Sequence, residues 1–164
     1  MSATLTRTRR PALFMVAAFV AFVAAVSPLA AAGRAVVVVH PAKNAKLGKT
    51  ILVNLHGHTL YQLSAEGGKK FICTDSKCLS VWHPLVVKSG VKPMGASRLA
   101  TVKRPDGRIQ VTFRGRPLYT FSGDMARGDA NGEGFKDVGT WHAASLSASS
   151  SKAPAPAPSP YPYP

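Results

Sequence analysis

The chain is apolar at its start, alternating through its middle and punctuated by proline at its end. Ala12 to Val26 runs without a polar residue, Ser27-Pro28 breaks the run, and Leu29-Ala30-Ala31-Ala32-Gly33 follows. In the middle, Ile51 to Leu55 and Arg108 to Phe113 place β-branched or aromatic residues at alternate positions, the period of a strand. A glycine-containing turn follows each, His56-Gly57-His58 or Arg114-Gly115-Arg116. A second extended run comes next, Thr59 to Ser64 or Pro117 to Ser122, so each unit is expected to be a β-hairpin. On the second runs, Tyr61 shares a face with Leu63 and Tyr119 with Phe121. Val36 to Val39, Leu99 to Val102 and Trp141 to Leu146 are further expected strands. No segment has the 3.6-residue periodicity of an amphipathic helix, so the expected class is all-β.

The two hairpin units are copies. ILVNLHGHTLY, residues 51–61, aligns with IQVTFRGRPLY, residues 109–119, at a constant offset of 58. Ile51 meets Ile109, Val53 meets Val111, Gly57 meets Gly115, and Leu60-Tyr61 meets Leu118-Tyr119. An acid follows in both, Glu66 against Asp124. One residue of slip later, Trp82-His83 meets Trp141-His142. A repeated supersecondary unit usually completes its partner's core. The expected architecture is therefore one small domain over 36–147, with two pseudo-symmetric hairpin-containing repeats over about 46–84 and 104–144.

The flanks read differently. Arg7, Arg9 and Arg10, the apolar run, and an A-x-A site at Ala30 and Ala32 are expected to form a signal peptide over 1–32, cleaved after Ala32. An uncleaved anchor is the rival, because the run extended to Ala32 reaches about twenty residues. The twin arginine lacks the bulky apolar residue usual after it, so the export route stays open. Residues 148–164 end in six prolines alternating with Ala, Ser and Tyr. They can build no core and are expected to be a disordered, extended spacer.

Charge narrows the partners. The chain has 21 Lys and Arg against 7 Asp and Glu. Without the arginines of the signal segment, 18 against 7 leaves +11. Such a field attracts polyanions. The basic residues are scattered, and no zinc-finger spacing or RNA-binding aromatic signature accompanies them, so no specific nucleic-acid partner is expected. The membrane is a partner only through an uncleaved signal segment.

Candidate chemistry is sparse. Cys73 and Cys78 are the only cysteines, and in an oxidising compartment a structural disulfide is the preferred reading. A redox pair and a soft metal site are the rivals, without C-x-x-C spacing or a second pair to support them. Tyr119 and Asp124 can be read as an acid–base pair, but a core tyrosine and a turn aspartate explain them better. Asp129, Asn131 and Glu133 resemble the first half of a calcium loop, although Thr140 stands where the bidentate glutamate belongs. His56, His58, His83 and His142 are the candidate transition-metal ligands, should the repeats bring them together. The ordinary reading is of solvated side chains and turn residues, and no cofactor is expected. No nucleophile elbow or zinc-protease motif is present.

These residues also resemble a family. Tyr119-Thr120-Phe121-Ser122-Gly123-Asp124 fits Tyr-x-(Phe/Trp/Tyr)-x-x-Asp. With Gly57-His58-Thr59-Leu60-Tyr61, Trp82-His83-Pro84, Arg104-Pro105-Asp106-Gly107, Gln110-Val111, Gly115-Arg116-Pro117-Leu118-Tyr119 and Gly128 to Gly134, it resembles the bacterial secreted-repeat family of unknown function, predicted lipoproteins bearing that motif. The similarity spans about Lys46 to Ala144. Tyr61, Glu66, Trp82, Tyr119, Phe121, Asp124 and Trp141 are the motif positions, read as structural. The first repeat departs from the pattern, with Leu63 for the aromatic and Glu66 for the aspartate. The cysteine of a lipoprotein signal is missing after Leu29-Ala30-Ala31, so lipidation is not implied.

The resemblance implies an extracytoplasmic location, secreted or periplasmic, and a repeat architecture, but no activity. The expected function is a non-enzymatic binding or interaction module of the cell envelope, with an anionic envelope polymer or a protein as partner. The alternative is a metal-binding or redox accessory protein.

Overall fold

Glycines and polar turns cut the apolar pattern into short runs, and in a computed structural model these runs form twelve strands and one short helix. The structure describes Met1 and residues 33–147; apart from Met1, the expected signal peptide and the expected tail lie outside the described residues. In order, the elements are β1 (Arg34–Val37), β2 (Val39–Asn44), β3 (Lys49–Asn54), β4 (Tyr61–Leu63), α1 (Ser76–Val81), β5 (Trp82–Pro84), β6 (Val86–Val87), β7 (Val91–Met94), β8 (Leu99–Lys103), β9 (Ile109–Phe113), β10 (Arg116–Pro117), β11 (Tyr119–Phe121) and β12 (Trp141–Ala143). The protein is all-β. Its strands begin at Arg34, two residues before the expected boundary. The helix was not legible because it buries nothing and so leaves no periodicity. It forms locally, where the Asp75 carboxylate caps it by accepting from the Cys78 N–H at 3.0 Å.

The hairpins differ from those expected. β3 pairs along its length with the strand before it, β2, from Val39 opposite Asn54 to Asn44 opposite Lys49. β9 pairs in the same way with β8, from Leu99 opposite Phe113 to Lys103 opposite Ile109. The runs after the glycine turns close onto β3 and β9 only briefly, through a Val53–Thr59 bridge and through β10. They then leave for a separate sheet of order β12-β4-β11-β5. Burial on both faces explains the departure. Leu60 and Tyr61 are consecutive and both fully buried, as are Leu118 and Tyr119. Consecutive buried residues point to opposite faces, so these strands must lie between two packed layers.

The layers are two hydrophobic clusters. One is aromatic and contains Tyr61, Trp82, Tyr119 and Trp141 with Ile51, Val53, Leu63 and Cys73. The other is mainly aliphatic and contains Val39, Leu52, Leu60, Val111, Phe113 and Leu118. Trp82 and Trp141 stack at 3.8 Å between ring centres, with planes 7° apart. Tyr61 meets Trp82 edge-on at 5.4 Å, and Tyr119 meets Trp141 edge-on at 5.1 Å.

Contacts of the two halves recur with partners exchanged. The Leu85 N–H donates to the Leu118 carbonyl at 2.9 Å, and the Ala144 N–H to the Leu60 carbonyl at 2.7 Å. Gln110 pairs with Val86, and Ile51 bridges Ser145. Gln110 lies 59 residues after Ile51, and Ser145 lies 59 after Val86. In the ladders, therefore, Ile51 corresponds to Gln110 and Leu52 to Val111. The gapless alignment at 58 is one residue out in this strand, although it holds for Tyr61 opposite Tyr119. The residue is absorbed in the turn: four residues separate Asn54 from Thr59, and three separate Phe113 from Pro117. A slip of one matters because it exchanges the faces of every side chain.

Candidate functional site

The acid that follows each tyrosine lands at the end of its strand, where the chain turns back under the other half. The Tyr61 hydroxyl donates to Asp124 Oδ2 at 2.7 Å, and the Tyr119 hydroxyl donates to Glu66 Oε2 at 2.9 Å. The backbone completes both carboxylates. Glu66 Oε1 accepts from the N–H groups of Ile72 and Cys73 at 2.8 and 2.9 Å, and Asp124 Oδ1 accepts from the Asn131 N–H at 2.9 Å. Glu66 is 2% exposed and Asp124 4%. A buried carboxylate is tolerated when it is hydrogen-bonded in this way.

Arg104 joins one pair and not the other. Its Nη1 donates to the Tyr119 hydroxyl at 3.1 Å and to Gln110 Oε1 at 2.6 Å, and its Nη2 donates to the Cys73 carbonyl at 2.8 Å. Nε reaches Asp106 at 3.2 Å, and the guanidinium lies 5.1 Å from the centre of the Phe71 ring. The side chain is almost wholly enclosed. Gln110 spends its amide on the Leu118 carbonyl at 2.7 Å. In the sequence Arg104 reads as one of many scattered basic residues. The legible signal was Gln110, a long polar residue inside an otherwise apolar strand, which needs a buried partner.

Both phenols are poor acids. Burial is the largest cause raising their pKa values. For Tyr61 the hydrogen bond to Asp124 adds to it; for Tyr119 the charge of Glu66 adds and Arg104 opposes. Both rings are fully buried. Gly132 shows how closely the site is built. Its N–H points at the Tyr61 hydroxyl at 3.3 Å, and a Cβ there would sit 2.7 Å from the Trp82 ring. Trp141 Nε1 is the one buried side-chain polar atom among the described residues without a hydrogen-bond partner.

The remaining candidates do not converge. His83 in β5 and His142 in β12 sit on the two outer strands of the four-stranded sheet. Three strand spacings separate them, about 14 Å. The repeats therefore hold these histidines apart instead of bringing them together. His58 Nδ1 lies 3.2 Å from the Asp124 carbonyl, and His56 is exposed in the turn. In the calcium-like loop, Asp129 Oδ2 accepts from the Ala126 N–H and Oδ1 faces Lys46 at 3.4 Å. The Ala126 N–H is the largest influence holding the Asp129 carboxyl below its usual range. Asn131 donates its amide to the Gly123 carbonyl. Glu133 is shared between His142 and the Ala143 N–H. Among the described residues no three His, Cys, Asp or Glu side chains cluster as metal ligands would. Cys73 and Cys78 form a disulfide that closes the loop leading into the first turn of α1.

Two open clefts flank this core. One, of about 440 Å³, lies beside the disulfide and is lined by Ile72, Cys78, Val81, Trp82, Phe135 and Val138 among others. The other, of about 370 Å³, lies between β2–β3 and the loop at Arg127-Gly128. The first is also lined by Asp75, Lys77, Lys136 and Asp137.

Residues 100–145 match the family model described as a secreted repeat of unknown function. The span carries Tyr119, Phe121, Asp124 and Trp141, and the description sets the family outside the cytoplasm at that coarse level. No curated protein and no solved structure matches the chain. The family that the motifs resemble is thus the family that residues 100–145 match: the secreted repeat of unknown function.

Proposed function

We propose that this protein is a non-enzymatic binding module of the cell envelope, and that its partner is an anionic envelope polymer or the acidic surface of a protein. The observation that carries this reading is the division of charge. Residues 33–147 hold seventeen Lys and Arg against seven acids, a balance of +10. Among the described residues, Arg104 is the only one of these cations in the buried class, whereas two of the acids, Glu66 and Asp124, are buried. Asp106 and Asp129 face cations of their own, and Glu133 faces His142. The outward field is therefore more cationic than composition alone indicates. The motif residues serve the core, and a nucleophile, base and orienting group in one accessible place are what turnover would require.

Binding of the mature protein to an anionic envelope polymer, measured at low and at high salt, tests the reading. Capture that falls steeply with salt is expected, since exposed charges are screened over about 8 Å at physiological ionic strength. Absence of binding at low salt overturns it. Stoichiometric copper, iron or zinc in untagged protein, lost in His56→Ala or His83→Ala, would establish the metal-linked alternative in its place.

A further inference from the structure

The cleft between β2–β3 and the Arg127 loop differs from the rest of the cationic surface because its arginine is held in place. His40, Ala42 and Asn44 share one face of β2 by period two, and the first two stand opposite Val53 and Ile51 of β3. Ala42, Ile51 and Val53 line the cleft as an apolar floor, with exposed Leu55 at its edge. Arg127 crosses the other side. Its Nε donates to the His56 carbonyl at 2.9 Å. It lies flat on Gly57, whose φ is +85° and where a Cβ would come 2.5 Å from Nε. Gly57 therefore supplies both the turn and the room for the guanidinium. Among the described residues, neither terminal nitrogen of Arg127 has a hydrogen bond or an ion pair. Exposed His40 lines the same cleft. Asp129, the acid nearest in sequence on that loop, is occupied by Lys46 and the Ala126 N–H.

We propose that this cleft binds one sugar-like unit carrying an acidic group, as found along an anionic envelope polymer. The unit's apolar face rests on Ala42 and Val53, and its carboxylate or phosphate takes the free fork of Arg127, with His40 as a second donor. A planar guanidinium already held by one hydrogen bond through Nε suits two-point recognition of such an anion. The volume suits one small unit, at the lower end of ligand pockets. This site deepens the reading of the protein as an anion-binding module and rests on it.

The test separates the two. The mature protein is titrated with oligogalacturonate, with glycerol phosphate oligomers and with neutral dextran oligomers, while amide NMR signals are followed. Binding by one or both acidic oligomers and not by dextran is expected, with the largest shifts at 40–44, 51–57 and 126–128. The oligomer that binds identifies carboxylate or phosphodiester as the source. Arg127→Gln and Lys103→Gln each remove one positive charge, the second on β8 away from the cleft. Arg127→Gln is expected to weaken binding at least tenfold and Lys103→Gln less than twofold. Arg127→Lys, which keeps the charge and loses the fork, is expected to fall between them. Equal small losses from Arg127→Gln and Lys103→Gln would overturn the cleft while leaving the charge reading intact. No binding of either acidic oligomer at low salt would overturn both.

Discussion

Tyr61 and Tyr119 face one another across β4 and β11, and each hydroxyl donates a hydrogen bond to the carboxylate of the opposite half, yet of the two hydroxyls only that of Tyr119 also accepts from a cation, Arg104. The Tyr61–Asp124 pair manages with backbone donors, the N–H groups of Asn131 and Gly132. The difference extends to the strand beneath. Where β9 supplies Gln110 to bond Arg104, β3 supplies Ile51 at the corresponding ladder position. Where β8 is followed by Arg104, β2 ends in Asn44, which donates to the Gly128 carbonyl and accepts from the Leu47 N–H. A buried polar group is costly unless every partner is present. The arginine, glutamine and tyrosine of the second half therefore stand with the glutamate of the first, and apolar Ile51 takes the glutamine's place in the other strand.

The largest break in this contrast is expected from Arg104→Met. It leaves Gln110 Oε1, the Tyr119 hydroxyl and the Cys73 carbonyl without their shared buried donor, and a buried group left without its partner typically costs about 1–3 kcal/mol. Denaturant unfolding measures it. A cost below about 1 kcal/mol for the single change would mean that these acceptors find other partners without Arg104.

Next come the two hydroxyls. Tyr119→Phe removes the link between two charged groups, and Tyr61→Phe removes the donor to one. Both losses are expected at about 1.5–3 kcal/mol, with Tyr119→Phe the greater. Equal losses would remove any special role for Arg104 at that hydroxyl. The same pair sets an alkaline limit. Both folded phenols have pKa values raised above the unfolded value, so the native state holds its protons more tightly. Stability from them is fully present below about pH 10, the ordinary tyrosine value, and is lost as pH rises above it. Unfolding free energy measured from pH 8 to pH 11 should fall at the alkaline end, and the fall should shrink in each Tyr→Phe variant.

A smaller effect is expected at the disulfide. Cys73→Ala with Cys78→Ala opens a short loop worth about 2 kcal/mol on chain-entropy grounds. Because the Cys73 backbone serves both Glu66 and Arg104, the pair of alanines should couple to Arg104→Met in a double-mutant cycle and not to Tyr61→Phe. The smallest effect, about 0.5–1.5 kcal/mol, belongs to Ile51→Val, which removes one methylene from the apolar counterpart of Gln110.

How much was legible varies from residue to residue. The β-branched and aromatic residues at Ile51 to Leu55 and at Arg108 to Phe113 were enough to place strands there, although both faces of β3 and β9 are buried. The repeat of Leu60-Tyr61 and Leu118-Tyr119 was visible because identical side chains recur at corresponding positions. Two cysteines in a chain read as exported were enough for the disulfide. The pairing of those strands was legible only in part: the run after each turn does close briefly on β3 or β9, but β2 and β8 form the long ladders. Period two says which face is buried, and it does not say which neighbour covers an edge. So β3 meets the run after it briefly on one edge, while β2 before it takes the other edge along its whole length.

Other features came only from the tertiary structure, for a common reason. That the Tyr61 hydroxyl meets Asp124, and not its own Glu66, follows from the crossing of the halves, and nothing within either repeat records it. Arg104 reads as a surface cation until β9 brings Gln110 and Tyr119 beside it, because charge in a sequence carries no depth. The one-residue shift between β3 and β9 was hidden by the matching Gly57 and Gly115, since the turn absorbs the extra residue after the ladder has set its register. The arginine of the open cleft, Arg127, is distinguished from the other basic residues only by lying on Gly57, some seventy positions earlier in the chain. Local sequence determined the strands, turns and disulfide, because these depend on neighbours along the chain. The partners of the buried charges were decided by packing, because burial makes hydrogen bonds obligatory and only the folded chain determines which groups are within reach.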